Sequence, residues 1–403
     1  MRTLFVSTTV PYPLNTGANQ RIFHLLQALA RLSEVTFACP TEGGRWPPEL
    51  DALRPFFQHT LLFPSESFDA SRSARSHGLH SRLSRLVRYH GHPREPALIR
   101  WYRSPIGAEM IRKACDTKFD LLWVERLISI GLLPDDPGCR VIMDLDDVQY
   151  RKIGHRLRQT GLRPRTVFDM LEFLKLRRLE RTLVQGPYEL AVCSALDKET
   201  LGGSSRIWVI PNGVEVPGDA SARLPVDRQP VLVLVGAMST EANADAAQFF
   251  VRRILPRIRR VVPEVRTMIV GSNPTQAVRE LQDDPSVTVT GTVPTVEPFL
   301  REASMSVVPI RFGGGTRIKI LESLAHGVPV VSTRVGAEGL EVEDGRHLLL
   351  ADSAADFADA CLRLLRDGAQ CAALSREGLK LVQARYDWRV IEQEVEHVVK
   401  AGR

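Results

Sequence analysis

The sequence predicts an α/β protein made of two Rossmann-like domains facing each other across a cleft, and three observations predict it. The chain has 403 residues, about twice a common domain size. Short β-branched runs alternate with stretches of helical period along most of its length, the pattern of parallel βαβ units. The alternation also restarts. A polar, proline-bearing stretch at 217–230 reads as an interdomain linker, after which PVLVLVGAM opens a second series of strands. The predicted domains are 1–214 and 215–384.

Composition narrows the class. Hydrophobic residues at 44% and charged residues at 25% are ordinary for a globular protein, so disorder is not expected. Six cysteines lie scattered with no CxxC pair, which argues for free thiols in a reducing compartment and against a disulfide framework or a zinc site. The start, MRTLFVSTTV, is too short and polar for a signal peptide, and no run is long enough to span a bilayer. A cytoplasmic protein is expected, held to a membrane by its surface if at all. A net charge of +6 favours anionic partners.

In the first domain TLFVSTTV is a buried strand. The loop PYPLNTGANQ leads into a helix whose Ile22, Leu25, Leu26 and Leu29 recur at helical spacing, and EVTFACP is the next strand. The glycine in that loop marks ligand contact at Thr16, Gly17 and Ala18, with Arg21 one turn in. It is not GxGxxG, which argues against a dinucleotide oxidoreductase. The segment 72–103 is rich in arginine, Arg82 and Arg85 among them. Its stretch 79–89 reads either as a basic amphipathic helix on anionic lipid or as a solvated helix. Nucleic-acid binding is not expected, because no binding motif accompanies the charge.

FDLLWVE and CRVIMDLDDV are strands that end in carboxylates: Glu125, then Asp144, Asp146 and Asp147. Ligands of open parallel sheets sit beyond the carboxyl ends of strands, so these acids are site candidates. Asp144 and Asp146 also have the spacing of a DxD metal motif, and capping of the following helix by Asp146 or Asp147 explains the acids about as well. Residues 165–185 form a charged amphipathic helix, followed by the strands YELAVCSA and IWVIPNGVEV.

The second domain continues with the helix NADAAQFFVRRILPRIRRVVP and the strands VRTMIVGS and SVTVTGTV. PTVEPFLREA and MSVVPI lead to GGGTRIKILESLAHGVPVVST. Its three glycines leave backbone N–H groups unobstructed, and from Thr316 onward Ile318, Leu321, Leu324 and Ala325 fall at helical spacing. Gly327 and Pro329 stop that helix, and VPVVST is a buried strand. The helix N-terminus, its dipole and the glycine nest favour phosphate, with Arg317 and Lys319 as added cations. Glu322 shares a face with Lys319 and is placed to accept hydrogen bonds from sugar hydroxyls. A sugar attached to a nucleoside diphosphate fits this pattern. So does a capped surface helix with Arg317 and Lys319 in solvent.

Taken in order, IPNGV, VGAMSTEANADAAQFF, MIVGSNP, VTVTGTVP, VVPIRFGGGTRIKILESLAHGVPVVST and GAEGL resemble the retaining glycosyltransferases of family 4, and within them the subgroup found in exopolysaccharide gene clusters. The resemblance covers most of the chain and is best over its second half. It implies the GT-B fold, with the last segment, RYDWRVIEQEVEHVVK, as a C-terminal helix at 385–403 that crosses back to the first domain. It also implies a metal-independent hexosyltransferase that uses a nucleotide sugar as substrate and needs no cofactor. The acceptor would be a saccharide; the arginine-rich segment 72–103, taken by itself, adds a lipid-linked saccharide as acceptor and contact with an anionic membrane at the inner face of the cell.

Carried onto this sequence, the resemblance places Glu322 on the nucleotide ribose. Gly315, Thr316 and Arg317 fall on the diphosphate, with Gly236 and Gly17 near the same phosphates and Lys319 as a replacement cation. Gly314 falls where the family's acid meets the donor sugar, and Gly271 and Val293 lie in the loops that grip the base. Arg317 and Lys319 are the catalytic candidates on the donor side; Glu125, Asp146 and Asp147 are those on the acceptor side. Two departures stand out. The first glutamate of the EX7E motif is replaced by Gly314, and GAMSTEANAD lacks the usual Arg and Lys. The first departure keeps a non-catalytic binding subunit of the same fold as an alternative. A nucleotide-sugar 2-epimerase shares the architecture, but the second domain shows no His or Glu pair for it, and His326 reads as a helix-end residue.

Overall fold

The computed structural model describes residues 1–14, 16–64, 92–159, 164–221, 229–315 and 317–402. Two compact units emerge: Met1–Pro211 with Glu392–Arg403, and Asn212–Ile391. The division therefore falls at Pro211 rather than after residue 214. The cause is local. A Cβ on Gly213 would lie 2.6 Å from the Trp388 ring and 2.7 Å from Ile391. Next to it the Val214 N–H donates to the Tyr386 carbonyl at 2.8 Å, and the Trp388 N–H to the Val214 carbonyl at 3.2 Å. The expected linker also departs from the sequence reading. Asp219 accepts from Arg301 at 2.8 Å, and the Ser221 carbonyl occupies the place of a Cβ on Gly327, so 217–221 is packed into the second unit.

Among the described residues of the first unit seven strands are all parallel: β1 (Arg2–Val6), β2 (Glu34–Thr41), β3 (His59–Pro64), β4 (Leu121–Glu125), β5 (Arg140–Asp146), β6 (Glu189–Val192) and β7 (Ile207–Val209). Their order is β3-β2-β1-β4-β5-β6-β7. The inner strands are continuous apolar runs because helices cover both faces of such a sheet. Helix α1 (Gly17–Leu32) buries Ile22, Leu25, Leu26 and Leu29, the stripe its period predicts, and Thr16 caps it by accepting from the Asn19 N–H at 3.2 Å. Helices α2 (Gln149–Gln159) and α3 (Pro164–Gln185) follow β5. The end of the chain returns to this unit, where Glu392 pairs with Arg31 and Arg140 donates to the carbonyls of Val398 and Val399.

The described residues of the second unit form six parallel strands: β8 (Val231–Val235), β9 (Arg266–Val270), β10 (Val287–Gly291), β11 (Met305–Val308), β12 (Val330–Ser332) and β13 (Leu349–Leu350), in the order β10-β9-β8-β11-β12-β13. The helix expected to run unbroken after β8 is instead three pieces. Helix α4 (Glu241–Phe249) passes through a π turn at Phe250–Ile254 into Leu255–Arg259. Pro256 is the reason, since it offers no N–H to the preceding turn and its ring crowds the carbonyl four residues back. Helix α5 (Ile318–Ala325) follows the glycine loop. Helices Ala354–Arg366 and Gly368–Arg385 then lead to α6 (Trp388–Ala401).

In each sheet the strand order reverses beside the first strand, between β1 and β4 and between β8 and β11. A crevice opens at such a switch point beyond the carboxyl ends of the strands, the place where open α/β sheets bind ligands. Among the described residues no helix is long and apolar enough to cross a membrane.

Candidate functional site

At the switch point of the second unit the loop after β8 begins at Gly236 and the loop after β9 at Gly271. A Cβ on Gly271 would stand 1.7 Å from the Gly236 carbonyl oxygen, so only glycine lets the two loops meet. The Gly236 N–H donates to the Val270 carbonyl at 3.0 Å and closes the contact. Val293, from the loop after β10, packs half-buried against the cluster that holds Val235 and Leu300.

After β11 the chain turns through the glycines, with Gly313 and Gly315 at φ of 110° and 86°, values that L side chains rarely adopt. Helix α5 starts at Ile318 with Arg317 as its N-cap residue and with no side-chain cap for its first turn. Arg317 folds back to donate to the Gly314 carbonyl at 2.8 Å. Thr316 lies outside the described residues, as do residues 65–91, which hold most of the arginine-rich segment.

Lys319 crosses to the β8 side, where its Nζ donates to Asn243 Oδ1 at 2.6 Å; Asn243 in turn donates to the Ala237 carbonyl at 2.9 Å. A Cβ on Gly236 would come within 2.7 Å of both Lys319 Nζ and Asn243 Nδ2, so the glycine makes room for the pair. Burial and the neighbouring Arg317 charge push the Lys319 ammonium down to about 7, with Glu322 pulling the other way. Glu322 is half-buried on the next turn, and burial raises its carboxyl against the pull of Lys319. Among the described residues no hydrogen bond reaches that carboxylate. Two cations beside an uncapped helix start form a cradle for an anion. His326 ends α5, with Nδ1 2.8 Å from the Glu322 carbonyl oxygen, the helix-end position expected of it.

The switch point of the first unit holds Ser7, Thr8 and Thr9 after β1, Glu125 at the end of β4 and Arg126 just after it. Glu125 is 2% exposed. Its Oε2 lies 3.4 Å from the hydroxyls of Ser7 and Thr8, and its Oε1 accepts from Arg126 Nε. Burial raises the Glu125 carboxyl to about 7, with Arg126 opposing. Arg126 also donates to Thr9 Oγ1 at 3.0 Å, and its backbone sits at φ 61° and ψ 149°. That region costs a non-glycine residue about 1–3 kcal/mol. Glu125 is thus sealed and acts on its surroundings through Arg126, the more accessible of the two.

The acids of β5 are mostly paired inward. Asp144 takes Arg21 in a bidentate pair, 2.8 Å on each oxygen, with both side chains nearly inaccessible. Arg21 also donates to the carbonyls of Ile210 and Pro211. Arg21, one turn into α1, therefore organises the core, while Gly17 opens that helix behind its Thr16 cap. With both Asp144 oxygens on Arg21, the DxD spacing has a structural explanation. Asp146 sits at a φ of 57° and accepts from Cys193 Sγ at 3.3 Å. Asp147 pairs with Lys152, its carboxyl raised by burial and by Asp146. The first-turn N–H groups of α2 that the sequence reading offered to these aspartates go to another residue. The cap is Glu180 of α3, fully buried, which accepts from the Gln149 N–H at 2.8 Å and the Tyr150 N–H at 3.1 Å.

Of the donor-side candidates, Gly236, Gly271, Gly314, Gly315, Arg317, Lys319 and Glu322 thus gather about the β8–β11 switch point. Asn243 was missed by the sequence reading. The available signal was a polar residue in the first turn of the helix that follows the central strand.

Residues 229–367, which include this whole cradle, match the family described as Glycosyl transferases group 1. Over 189 residues the chain is 34% identical to the D-inositol 3-phosphate glycosyltransferase of Acidothermus cellulolyticus, a match that covers 40% of this chain and 41% of that relative. The chain thus spans about two fifths of that curated relative's length. Two solved structures are similar over whole chains. Sucrose-phosphate synthase from Thermosynechococcus elongatus has a TM-score of 0.70 at 16% identity, covering 100% of this chain and 98% of its own. Anabaena HepE, solved in complex with UDP and glucose, has a TM-score of 0.64 at 13% identity, covering 100% of each. At these identities the likeness establishes the fold, which is that of the GT-B glycosyltransferases, and the group 1 match falls within the second unit.

Proposed function

We propose that the protein is a glycosyltransferase that moves a hexose from a nucleoside diphosphate sugar to a hydroxyl acceptor, with retention at the anomeric carbon and without a metal ion. The observation that carries this reading is the cradle at the β8–β11 switch point: Lys319 held by Asn243 against Gly236, Arg317 at the uncapped start of α5, and Glu322 one turn in. In the reaction the acceptor oxygen bonds to the anomeric carbon on the face from which the diphosphate departs. The bond from that carbon to the β-phosphate oxygen breaks, its electron pair leaves with the diphosphate, and the acceptor proton passes to the departing phosphate. Negative charge grows on the leaving oxygen, and preorganised cations and N–H groups aimed there are usually the largest catalytic contribution.

Lys319 and Arg317 would supply that charge in place of a metal, and Glu322 would accept from the ribose hydroxyls. In the first unit Asp146, Asp147 and Arg126, the last positioned by Glu125, would orient the acceptor hydroxyl. The resemblance supports retention and a role in polysaccharide or glycolipid synthesis with a saccharide acceptor, while a lipid-linked acceptor and a place at the inner face of the membrane rest on the arginine-rich segment around Arg82. The UDP bound to HepE makes uridine diphosphate sugars the first donors to test.

The test begins with thermal-shift screening against nucleoside diphosphates and their sugars, since a ligand specific to the folded state raises the melting temperature. Transfer is then followed with a labelled donor, with and without acceptors and with EDTA present, and the product linkage is read by NMR. Arg317→Ala is expected to lower kcat by about a hundredfold or more, with little change in melting temperature. Wild-type turnover in that variant, or a sugar altered in the absence of any acceptor, would defeat the proposal.

A further inference from the structure

Helix α3 is apolar on two sides. Its inner side supplies Leu176 and Leu183 to the core of the first unit. Its outer side leaves Val167, Met170, Leu171 and Leu174 exposed at 61, 47, 46 and 52%. A helix that is apolar all round is ordinarily buried all round, and large apolar side chains grouped in water mark an interaction surface. At 100° per residue these four side chains share a sector with Arg178 and Arg181, which are also exposed, all within about 100° of arc. The stripe from Val167 to Arg181 is about 21 Å long, apolar over its first half and cationic at its end.

No carboxylate lies free on that face. Asp169 pairs with Arg156 at 2.7 Å, and Glu172 pairs with Lys175 at 2.8 Å and accepts from the Ala97 N–H at 2.7 Å. Glu180 is buried beneath α2, where it caps that helix. Neither Arg178 nor Arg181 makes an ion pair among the described residues. A side chain that packed only into water would gain nothing from this sorting of acids inward and arginines outward.

We propose that this outer face of α3 docks on an anionic lipid bilayer, with Val167, Met170, Leu171 and Leu174 among the upper acyl chains and Arg178 and Arg181 on the headgroup phosphates. The charge pattern selects this occupant. A second copy of the chain would present the same apolar and arginine surface, with no acid to receive the guanidiniums. A bilayer with anionic headgroups supplies both an apolar layer and a negative one within the depth of one helix. The inference deepens the membrane side of the proposed function and uses none of its site residues, so lost vesicle binding with sugar transfer intact, or the reverse, tells the two readings apart.

The experiment is co-sedimentation of the full chain with phosphatidylcholine vesicles made with and without phosphatidylglycerol. It compares wild type with Leu171→Glu/Leu174→Glu and with Arg178→Gln/Arg181→Gln. Wild type is expected on the phosphatidylglycerol vesicles. Each arginine is worth about fivefold in binding, so the arginine variant is expected about 25-fold weaker. The glutamate variant is expected to stay in solution.

Circular dichroism melts establish that the variants are folded, and if the glutamate variant is not, the arginine variant alone carries the comparison. Equal binding by wild type and the arginine variant overturns the proposal. So does a concentration-dependent dimer in solution that the glutamate pair abolishes, since a second copy would then cover the face. Wild-type binding alone is not counted as support, because the arginine-rich stretch before residue 92 is present in every variant.

Discussion

Binding of a nucleoside diphosphate at pH 8 should take up close to one proton per ligand, and Lys319 is the group that takes it. Its ammonium is pushed down to about 7 by burial and by Arg317, so at pH 8 only about a tenth of the ligand-free molecules carry that charge. A unit negative charge seated about 4 Å away is worth about 4 kcal/mol near a protein surface, or about 3 pH units. The bound state is then almost fully protonated, and uptake is about 0.9 proton. The terminal phosphate contributes little, because its second ionisation, near pH 6, is complete at pH 8.

Titration calorimetry with UDP in two buffers of different ionisation enthalpy measures this number directly. Lys319→Gln should bind more weakly and take up almost none. Tight binding by wild type with no proton uptake, or the same uptake in Lys319→Gln, would refute the argument. The same shift has a signature without ligand. Between about 7 and the ordinary lysine value of 10.5 the unfolded chain holds a proton that the folded chain lacks, so stability rises with pH across that window. Lys319→Gln should lose that slope.

Three further outcomes are expected. Gly271→Ala drives a methyl group into the Gly236 carbonyl and should destabilise the second unit by about 3 kcal/mol in chemical denaturation; a change within the error of the measurement would mean the two loops do not touch. Asp144→Asn leaves the Arg21 guanidinium buried without its counter-charge and should cost about 3–5 kcal/mol, read from the urea midpoint of the first unit. Glu180, raised from 4.5 to about 7 by burial, binds a proton in the folded state that the unfolded chain has released across that interval. Stability of the first unit should therefore fall as pH rises from 4.5 to 7, by up to about 3 kcal/mol, and Glu180→Gln should flatten the profile.

Much of the framework could be read from the chain because buried parallel strands are nearly continuous apolar runs. VLVLV at β8 and LLWVE at β4 admit few other placements, and all four residues of the predicted α1 stripe are buried, with Arg21, His24 and Ala28 beside them. β3 was not anticipated. HTLLFP sits at the edge of the sheet, half-buried, with a histidine and a proline at its ends, and an edge strand carries neither full burial nor clean alternation. The proline inside the second-domain helix was visible, yet whether it breaks a helix or is absorbed by a π turn depends on packing around Phe250 and Ile254.

In the site the same division holds. Residue types with chemical meaning were legible wherever they sat on one local element: the glycines, Arg317, Lys319 and Glu322 announce an anion-binding helix start within ten positions of sequence. What lay beyond reach was the partner of each group. That Lys319 meets Asn243, that Arg21 locks Asp144 and that Glu180 rather than an aspartate caps α2 all join positions far apart in the chain.

By itself, then, the sequence determined the α/β class, the two series of parallel strands and the glycine-led helix start with Arg317 and Lys319 beside it. These follow from the solvent preference of side chains and from backbone geometry, which act over a few residues. Only the tertiary structure decided which charges are active and which are sealed. Desolvation and Coulomb energy depend on distance through space, and no local pattern states that Glu125 lies beneath Arg126 while Lys319 stands beside a second cation.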